Sequence, residues 1–365
     1  MSYDPFARGH LPVGVRTTTL RDPERDRSIP LEIWYPAATQ HQGQDLDPTT
    51  RDRFKLLAFA PETSQDAVRD ASGAPGDYPL VLFSHGWSGH RRQTTHLCTH
   101  LASHGYLVGS VDHLGNTVTD LIQILLAARS GEPVPDGNEL ASRSIHDRPR
   151  DISFALDALL GEEELPESVR VNPEQIGMTG HSFGGWTTLM VAGSDGRIRA
   201  ALPLAPAGGH SPMAEEENLL RDTLELDWPH PVPTLYLAAE HDTLCPLDGI
   251  RELRDRTREP SRLISLGSAD HMHFSDRVEE AHELFRNMGS MISGGMSGGP
   301  DIVSILEHMK PITELVSGEV ACLFTRSLGL AHMDAHLRKD AEASGFLESD
   351  LPTLFSQRGI PISVD

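Results

Sequence analysis

Residues 175–186, QIGMTGHSFGGW, are the stretch of sequence that decides the fold. The first half is apolar and strand-like, and it runs directly into Gly180-His-Ser-Phe-Gly184. A serine on a sharp turn between a strand and a helix needs small residues two positions before and after it, and these glycines meet that need. Residues 186–193 then have a helical pattern. The stretch therefore predicts a strand–turn–helix unit that exposes Ser182.

Short apolar segments alternate with helical segments on both sides of this unit. Strands are predicted at residues 79–84, 106–111, 175–180, 199–204, 233–239 and 263–266, and helices at 91–104, 147–160 and 186–193. Such alternation is typical of parallel βαβ units whose sheet is covered by helices on both faces. Residues 12–20 and 30–36 instead predict an antiparallel strand pair. We therefore predict an α/β fold with a mostly parallel central sheet flanked by helices.

Three segments interrupt the alternation and are predicted to be insertions into a single domain spanning residues 1–365. They are residues 114–146, 206–230 and 287–312. As cap or lid elements they would lie over a binding site, and methionine and leucine in 114–146 and 287–312 suit an adaptable apolar pocket. Ordinary loops that pack elsewhere are the alternative. A short helix near 51–60, a helix near 331–343 and a polar tail complete the prediction.

The charge balance argues against several classes of partner. Lys and Arg total 31 against 53 Asp and Glu, a formal net charge of −22, which repels nucleic-acid backbones and anionic lipid headgroups. No segment approaches the ~20 apolar residues of a membrane span, and no leader-like apolar region begins the chain. We expect no nucleic-acid binding, no stable membrane insertion and a cytoplasmic location. Cys98, Cys245 and Cys322 are expected to be reduced thiols.

A nucleophilic serine requires donors that stabilise an oxyanion, and a second motif offers one. His85-Gly86-Trp87 follows the predicted strand that ends at Ser84. The backbone N–H groups of Trp87 and Phe183 are therefore predicted to form an oxyanion hole. His85 itself is expected to brace this loop and not to act as a base. A glycine-rich turn without chemistry is the alternative reading of the serine motif.

The acid and the base are expected downstream, because hydrolases with this turn carry them in the order serine, acid, histidine. Asp242 follows the strand at 233–239 and precedes a proline by four residues, while Glu240 remains an alternative. His271 lies in the loop after the last predicted core strand, with His273 a close neighbour. The later histidines fall on helical patterns and are expected at the surface: His282, His308, His332 and His336.

Several motifs in combination resemble a known family. They are Trp34-Tyr-Pro36, residues 83–91 (FSHGWSGHR), residues 101–113 (LASHGYLVGSVDH), Gly180-His-Ser-Phe-Gly-Gly185 and His271-x-x-Phe274-x-Asp276. Over roughly residues 10–36 and 78–280, they resemble the platelet-activating-factor acetylhydrolase and predicted dienelactone hydrolase group of the α/β-hydrolase superfamily.

The resemblance implies hydrolysis of small or short-acyl esters through an acyl-enzyme, with a small-molecule ester as the partner. It also implies His271 as the base and favours Asp242 as the acid. Trp87 stands where a smaller aliphatic residue is common in the family. We therefore expect the part of the pocket that holds the acyl group to be narrower. The segment 287–312 has no counterpart in the family pattern. The oligomeric state is left open.

Other functions remain as alternatives. Polyester hydrolases, thioesterases, acyltransferases and peptidases share the acyl-serine step, and some hydrolase folds bind ligands without catalysis. No cofactor is expected. His96, His100 and His104 are spaced by four residues. Three imidazoles spread over two helical turns cannot all reach one ion at ligand distances of ~2.0–2.1 Å, so no metal site is expected.

Overall fold

Ten strands form one sheet in the computed structural model, which describes residues 3–57, 60–211, 218–258, 260–292 and 302–365. The spatial order of the strands is β5-β1-β2-β7-β6-β8-β9-β10-β11-β12, and β3 pairs separately with β4. The strands are β1 Val13–Asp22, β2 Arg27–Pro36, β3 Arg53–Phe54, β4 Thr63–Ser64, β5 Val68–Arg69, β6 Gly76–Ser84, β7 Leu107–Val111, β8 Val169–His181, β9 Ile198–Leu204, β10 Thr234–Ala239, β11 Ser261–Leu266 and β12 Ile362–Val364.

The six central strands, from β7 to β11 in the spatial order, run parallel to one another. Except for β8, which has 13 residues and a partly exposed first half, they are short and mostly apolar, which suits strands buried on both faces. β1 pairs with β2 along its whole length in antiparallel register, and β2 pairs antiparallel with β7. The predicted α/β class, with its opening antiparallel pair, is therefore confirmed.

Helices cover both faces of the sheet. They are α1 Thr95–Ser103, α2 Val118–Arg129, α3 Gly137–Leu160, α4 Phe183–Ser194, α5 Leu219–Asp222, α6 Leu247–Arg256, α7 Val278–Ile292, α8 Ile302–Glu307, α9 Gly318–Met333, α10 Ala341–Glu348 and α11 Leu351–Ser356. α3, α4 and α6 pack apolar side chains on one face, and α1 and α9 pack on the other. None of the helices in the described ranges has the length and hydropathy that a membrane crossing requires.

The structure corrects the prediction of a short helix near residues 51–60. Among the described residues of this segment, Arg53–Phe54 form strand β3, paired with β4. The carboxylate of the buried Asp52 accepts hydrogen bonds from Gln65 and Arg69, at 2.7 and 2.9 Å. These side-chain bonds tie the segment to the next one and favour an extended backbone.

The end of the chain also differs from the prediction. The helix expected near 331–343 is divided, because a π-helical turn, Asp334–Arg338, follows α9 and Lys339 adopts a left-handed conformation with φ 57°. The Asp340 carboxylate then accepts N–H bonds from the first turn of α10 and starts a new helix there. The expected polar tail contains α11 and β12, and β12 pairs antiparallel with β11.

The carboxyl edge of the parallel strands collects the loops that carry the predicted site residues. Trp87 follows β6, Ser182 follows β8, Asp242 follows β10 and His271 follows β11. In open α/β sheets this edge is where ligands bind, since the loops after parallel strands converge there.

Candidate active site

Ser182 occupies the sharp turn between β8 and α4. Its backbone has φ 58° and ψ −118°, a strained conformation for a residue with a side chain, and the side chain is half-buried. A Cβ atom at Gly184 would lie 1.9 Å from the carbonyl oxygen of Ser84, and one at Gly180 would lie 2.4 Å from that of Gly184. The two glycines are therefore required by close backbone approach, as the motif predicts.

The side chains of His271 and Asp242 face each other. The Nδ1–H group of His271 donates to the Asp242 carboxylate, with distances of 2.9 and 3.0 Å to its two oxygens. The same carboxylate accepts the backbone N–H groups of Leu244 and Cys245, which fix its orientation. Burial disfavours the charged form of His271, but the Asp242 carboxylate outweighs this and raises the pKa of His271.

The alternative acid, Glu240, and the alternative base, His273, make other contacts. Glu240 is exposed, and its carboxylate accepts the backbone N–H of Ser268 at 2.7 Å. His273 donates from Nε2 to the carbonyl of Val316 at 3.1 Å and accepts the backbone N–H of Asp270 at Nδ1. Both ring nitrogens of His273 are thus used in loop contacts, and the structure brings Asp242 and His271 together instead.

The serine turn lies directly against this pair. The ring of His181 contacts the ring of His271 with 4.5 Å between centroids, and its Nε2–H donates to the carbonyl of His271 at 2.9 Å. The Ser182 hydroxyl lies against the Cys245 thiol, whose sulfur is within 4.8 Å of ligand atoms of Asp242 and His271. Nucleophile, acid and base candidates therefore occupy one small volume.

Residues 85–89, here called the oxyanion loop, approach the serine from β6. A Cβ atom at Gly86 would lie 3.4 Å from the Cβ atom of Ser182. The indole of Trp87, 41% exposed, stacks on the ring of Phe183 with 5.5 Å between centroids and 20° between planes. Within the described ranges, the backbone N–H groups of Trp87 and Phe183 donate to no backbone carbonyl outside the helices and strands. The two amides therefore remain the predicted donors to an oxyanion.

His85 braces the oxyanion loop. It donates from Nδ1 to the carbonyl of Gly86 at 2.7 Å and accepts the backbone N–H of His113 at Nε2. Complete burial, followed by the positive charge of Arg148, holds the pKa of His85 well below its usual value. The ring is therefore neutral at physiological pH, in agreement with the structural role expected for it.

Sequence reasoning missed Gln93 and Arg148, which hold the site from behind. Gln93 accepts the backbone N–H of Gly86 at 2.8 Å and donates to Nδ1 of His181 at 2.6 Å, which links the oxyanion loop to the serine turn. Arg148 donates to two carbonyls of the same loop. A signal was available for Arg148: it precedes the buried Ile152 and Leu156 by four and eight residues and so lies on the apolar stripe of α3.

Asp276 explains the last position of the His-x-x-Phe-x-Asp pattern. Its carboxylate accepts the backbone N–H groups of Thr95 and His96, at 2.8 and 3.0 Å, at the start of α1. Burial raises the pKa of Asp276 to about 6, although these hydrogen bonds favour its charged form. The residue anchors the loop that carries His271 to the helix behind it.

The predicted insertions are described in part. Residues 114–146 form α2 and the first turns of α3, and Val118 donates its N–H to the carbonyl of Gly89 in the oxyanion loop at 3.0 Å. α2 has no fully buried residue, and Leu126 is 60% exposed. Within the other two insertions, residues 212–217 and 293–301 lie outside the described residues.

Possible metal ligands come together at the acid–base pair itself. Among the described residues, the group whose ligand atoms lie close enough is Asp242, Cys245 and His271, which already contains the acid–base pair. His100 and His104 donate to backbone carbonyls of the N-terminal segment. His282 and His332 are buried, contrary to the surface position expected for them. The three cysteines are unpaired.

Comparisons with known proteins add to this geometry. A family model described as platelet-activating factor acetylhydrolase, isoform II, matches residues 24–132. The platelet-activating factor acetylhydrolase of Cavia porcellus is 28% identical over 50% of this chain and 48% of its own length. Cutinase 2 of Thermobifida cellulosilytica is 28% identical over 47% of this chain and 50% of its own length. The matches therefore span about half the length of these curated relatives.

A solved structure gives a match over the whole chain. The ferulic acid esterase from Streptomyces cinnamoneus superposes with a TM-score of 0.61, covering 97% of this chain and 96% of its own, at 23% sequence identity. At this identity the match shows the fold. The family model ends before Ser182, so the arrangement of the site depends on the contacts described above.

Proposed function

We propose that this chain, an α/β-hydrolase by its fold, is a carboxylic-ester hydrolase with Ser182 as nucleophile, His271 as general base and Asp242 as the acid of the triad. The observation that carries the proposal is the strained backbone of Ser182 directly beside the hydrogen-bonded Asp242–His271 pair. Strain of this kind is costly, and it persists where an exposed nucleophile needs it.

In the proposed acylation step, Nε2 of His271 takes the proton of the Ser182 hydroxyl as its oxygen bonds to the ester carbonyl carbon. The carbonyl oxygen becomes an oxyanion, which the backbone N–H groups of Trp87 and Phe183 bind. The Asp242 carboxylate stabilises the imidazolium. The carbon–oxygen bond to the alcohol then breaks, and the imidazolium returns its proton to the leaving oxygen.

In the deacylation step, His271 takes a proton from a water molecule that attacks the acyl-serine. The second oxyanion is bound by the same two amides. Its collapse breaks the bond to Ser182, the imidazolium returns its proton to the serine oxygen, and the acid is released. No step requires a metal or cofactor, because the serine, the base and the two amides supply the chemistry.

We propose small or short-acyl esters as the substrates. Trp87 lies on the oxyanion loop and Phe183 follows Ser182, so we infer that their stacked rings limit the space for the acyl group. The names of the relatives point to acetyl esters in one case and to cutin in another, so polyester hydrolysis is the second candidate. Thioesterase and acyltransferase reactions would use the same residues, and ligand binding without catalysis would leave the triad unused.

The insertion 114–146 is proposed to cover the site. Its contact with the oxyanion loop through Val118, and the exposed apolar surface of α2, support this placement. An apolar cover that exchanges water for substrate would also strengthen the electrostatic contacts around the oxyanion.

A series of p-nitrophenyl esters tests the proposed substrate class. We expect kcat/KM to be highest for the acetate or butyrate ester and about tenfold or more lower for the dodecanoate ester. The reason is that methylene groups that do not fit a restricted pocket lower kcat/KM. A phospholipid with an acetyl group at sn-2 and a polyester film are measured beside the series. Rates that increase steadily with acyl length would contradict the short-acyl proposal, and faster turnover of the film would favour the polyester alternative.

A further inference from the structure

Arg148 places a fully buried guanidinium group behind the oxyanion loop. Nη1 donates to the carbonyl of His85 at 2.7 Å, and Nη2 donates to the carbonyl of Gly86 at 3.0 Å. The guanidinium carbon also lies 4.3 Å from the centre of the Phe183 ring. Arg148 therefore contacts both sides of the predicted oxyanion hole, through the carbonyl that precedes the N–H of Trp87 and through the side chain of Phe183.

The hydrogen bond from Arg148 to the Gly86 carbonyl acts on one donor of the predicted oxyanion hole, the N–H of Trp87. The carbonyl of Gly86 and the N–H of Trp87 belong to the same planar peptide unit, so fixing the carbonyl fixes the direction of the N–H. The Gly86 carbonyl also accepts the Nδ1–H of His85 at 2.7 Å. The backbone N–H of Gly89 donates to the same carbonyl at 3.1 Å. Three donors on one carbonyl polarise the peptide, which makes its N–H a stronger donor.

Arg148 forms no salt bridge with a described carboxylate, although the charge of Asp151 attracts it from a distance. Asn116 accepts from Nη2 at 2.6 Å, and no carboxylate within the described part of the chain hydrogen-bonds to the guanidinium. The nearby Asp151 carboxylate is bound by Arg25, Arg27 and His113 instead. Burying a charge without a directly hydrogen-bonded carboxylate is unfavourable for stability, so a purely structural role is a poor explanation for arginine at this position.

We propose that Arg148 is a positioning residue for the oxyanion hole, orienting and polarising the Gly86–Trp87 peptide and holding Phe183 in place. This inference rests on the proposed function. The guanidinium remains charged at neutral pH, because burial lowers its pKa only to about 9. Its effect concerns charge that develops in the transition state, so it acts on kcat and leaves substrate binding nearly unchanged.

The test compares Arg148→Met with Arg150→Met, a matched loss of an arginine on the same helix. Arg150 is exposed, lies outside the insertion 114–146 and contacts His146 across one helical turn. For p-nitrophenyl acetate we expect kcat of Arg148→Met to fall about 100-fold or more, as for loss of one oxyanion donor, with KM within about threefold. The affinity for a trifluoromethyl ketone, which forms a tetrahedral adduct with the serine, should fall by a similar factor. Arg150→Met should match the wild type.

Arg148→Lys keeps the inference testable if the methionine variant does not fold. A lysine has one compact ammonium group and cannot bridge both carbonyls, so we expect kcat and inhibitor affinity to fall together by about tenfold or more. A folded variant of either kind with wild-type kcat and inhibitor affinity, or with a change in KM alone, would overturn the inference. Failure of the proposed function is distinguishable, since the wild type itself would then hydrolyse no ester or Ser182→Ala would retain the activity.

Discussion

Replacing Ser182 by alanine is expected to lower kcat for p-nitrophenyl acetate by about 10⁴-fold or more. The rate that remains would come from substrate binding and the oxyanion hole alone. The variant removes the oxygen that would form the acyl-enzyme and leaves the acid–base pair without a partner. Its fold should persist, because alanine has the same Cβ atom and meets the same strain at φ 58°. The melting temperature is therefore expected to stay close to that of the wild type.

Ser194→Ala is the matched control for this variant. Ser194 is the last residue of α4, the helix that Ser182 precedes, and its hydroxyl donates to the carbonyl of Met190. We expect its activity to equal that of the wild type. A folded Ser182→Ala protein that still turned over the ester above the background rate would rule out this serine as the nucleophile.

The second large effect is expected for Asp242→Asn, with a loss in kcat of about 10⁴-fold. The carboxylate accepts the Nδ1–H of His271, which leaves Nε2 as the free base. An amide in this position can donate to Nδ1 and stabilise the wrong tautomer. Glu240→Gln, two residues earlier, is the control, and we expect activity within about twofold because that side chain is exposed.

The pH profile gives a second measurement on the same variants. His271 acts as a base only when it is neutral, and its pKa lies above the usual 6.5 because the Asp242 carboxylate outweighs burial. We expect kcat/KM of the wild type to rise with pH through this raised pKa and to be lost below it. The groups that face the ring include Asp242, Asp270 and His181.

Without the Asp242 carboxylate, burial dominates and the pKa of His271 falls. The acid limb of kcat/KM should therefore move to lower pH in Asp242→Asn and stay in place in Glu240→Gln. An unchanged limb in the asparagine variant, or a large loss of activity in the glutamine variant, would contradict the assignment of the acid.

Much of the fold could be predicted because its signal is local. Most of the parallel strands are short apolar segments buried on both faces, and five consecutive residues specify the serine turn. The divided helix after α9 was not predictable in this way. It depends on Asp334, whose carboxylate accepts the hydroxyl of Tyr106 from 228 positions away at 2.7 Å.

In the candidate site, too, some features have a local sequence signal and others depend on contacts between distant residues. Chain order and strand ends brought Ser182, Asp242 and His271 into consideration, and in the structure the Asp242–His271 pair lies beside the turn that carries the serine. The choice between Asp242 and Glu240 depends on the direction of each side chain after β10, which spacing alone does not give. The contacts of Arg148 with the oxyanion loop span more than 60 positions and became visible only in the fold.

Labelling with a fluorophosphonate tests the central claim most directly, because the reagent reacts with an activated serine and needs no knowledge of the substrate. We predict one adduct per folded chain, located by mass spectrometry on the peptide that contains Ser182, and no adduct in Ser182→Ala. Pretreatment with a short-acyl trifluoromethyl ketone should prevent the reaction. Folded wild-type protein that takes up no label, or equal labelling of Ser182→Ala, would contradict the account.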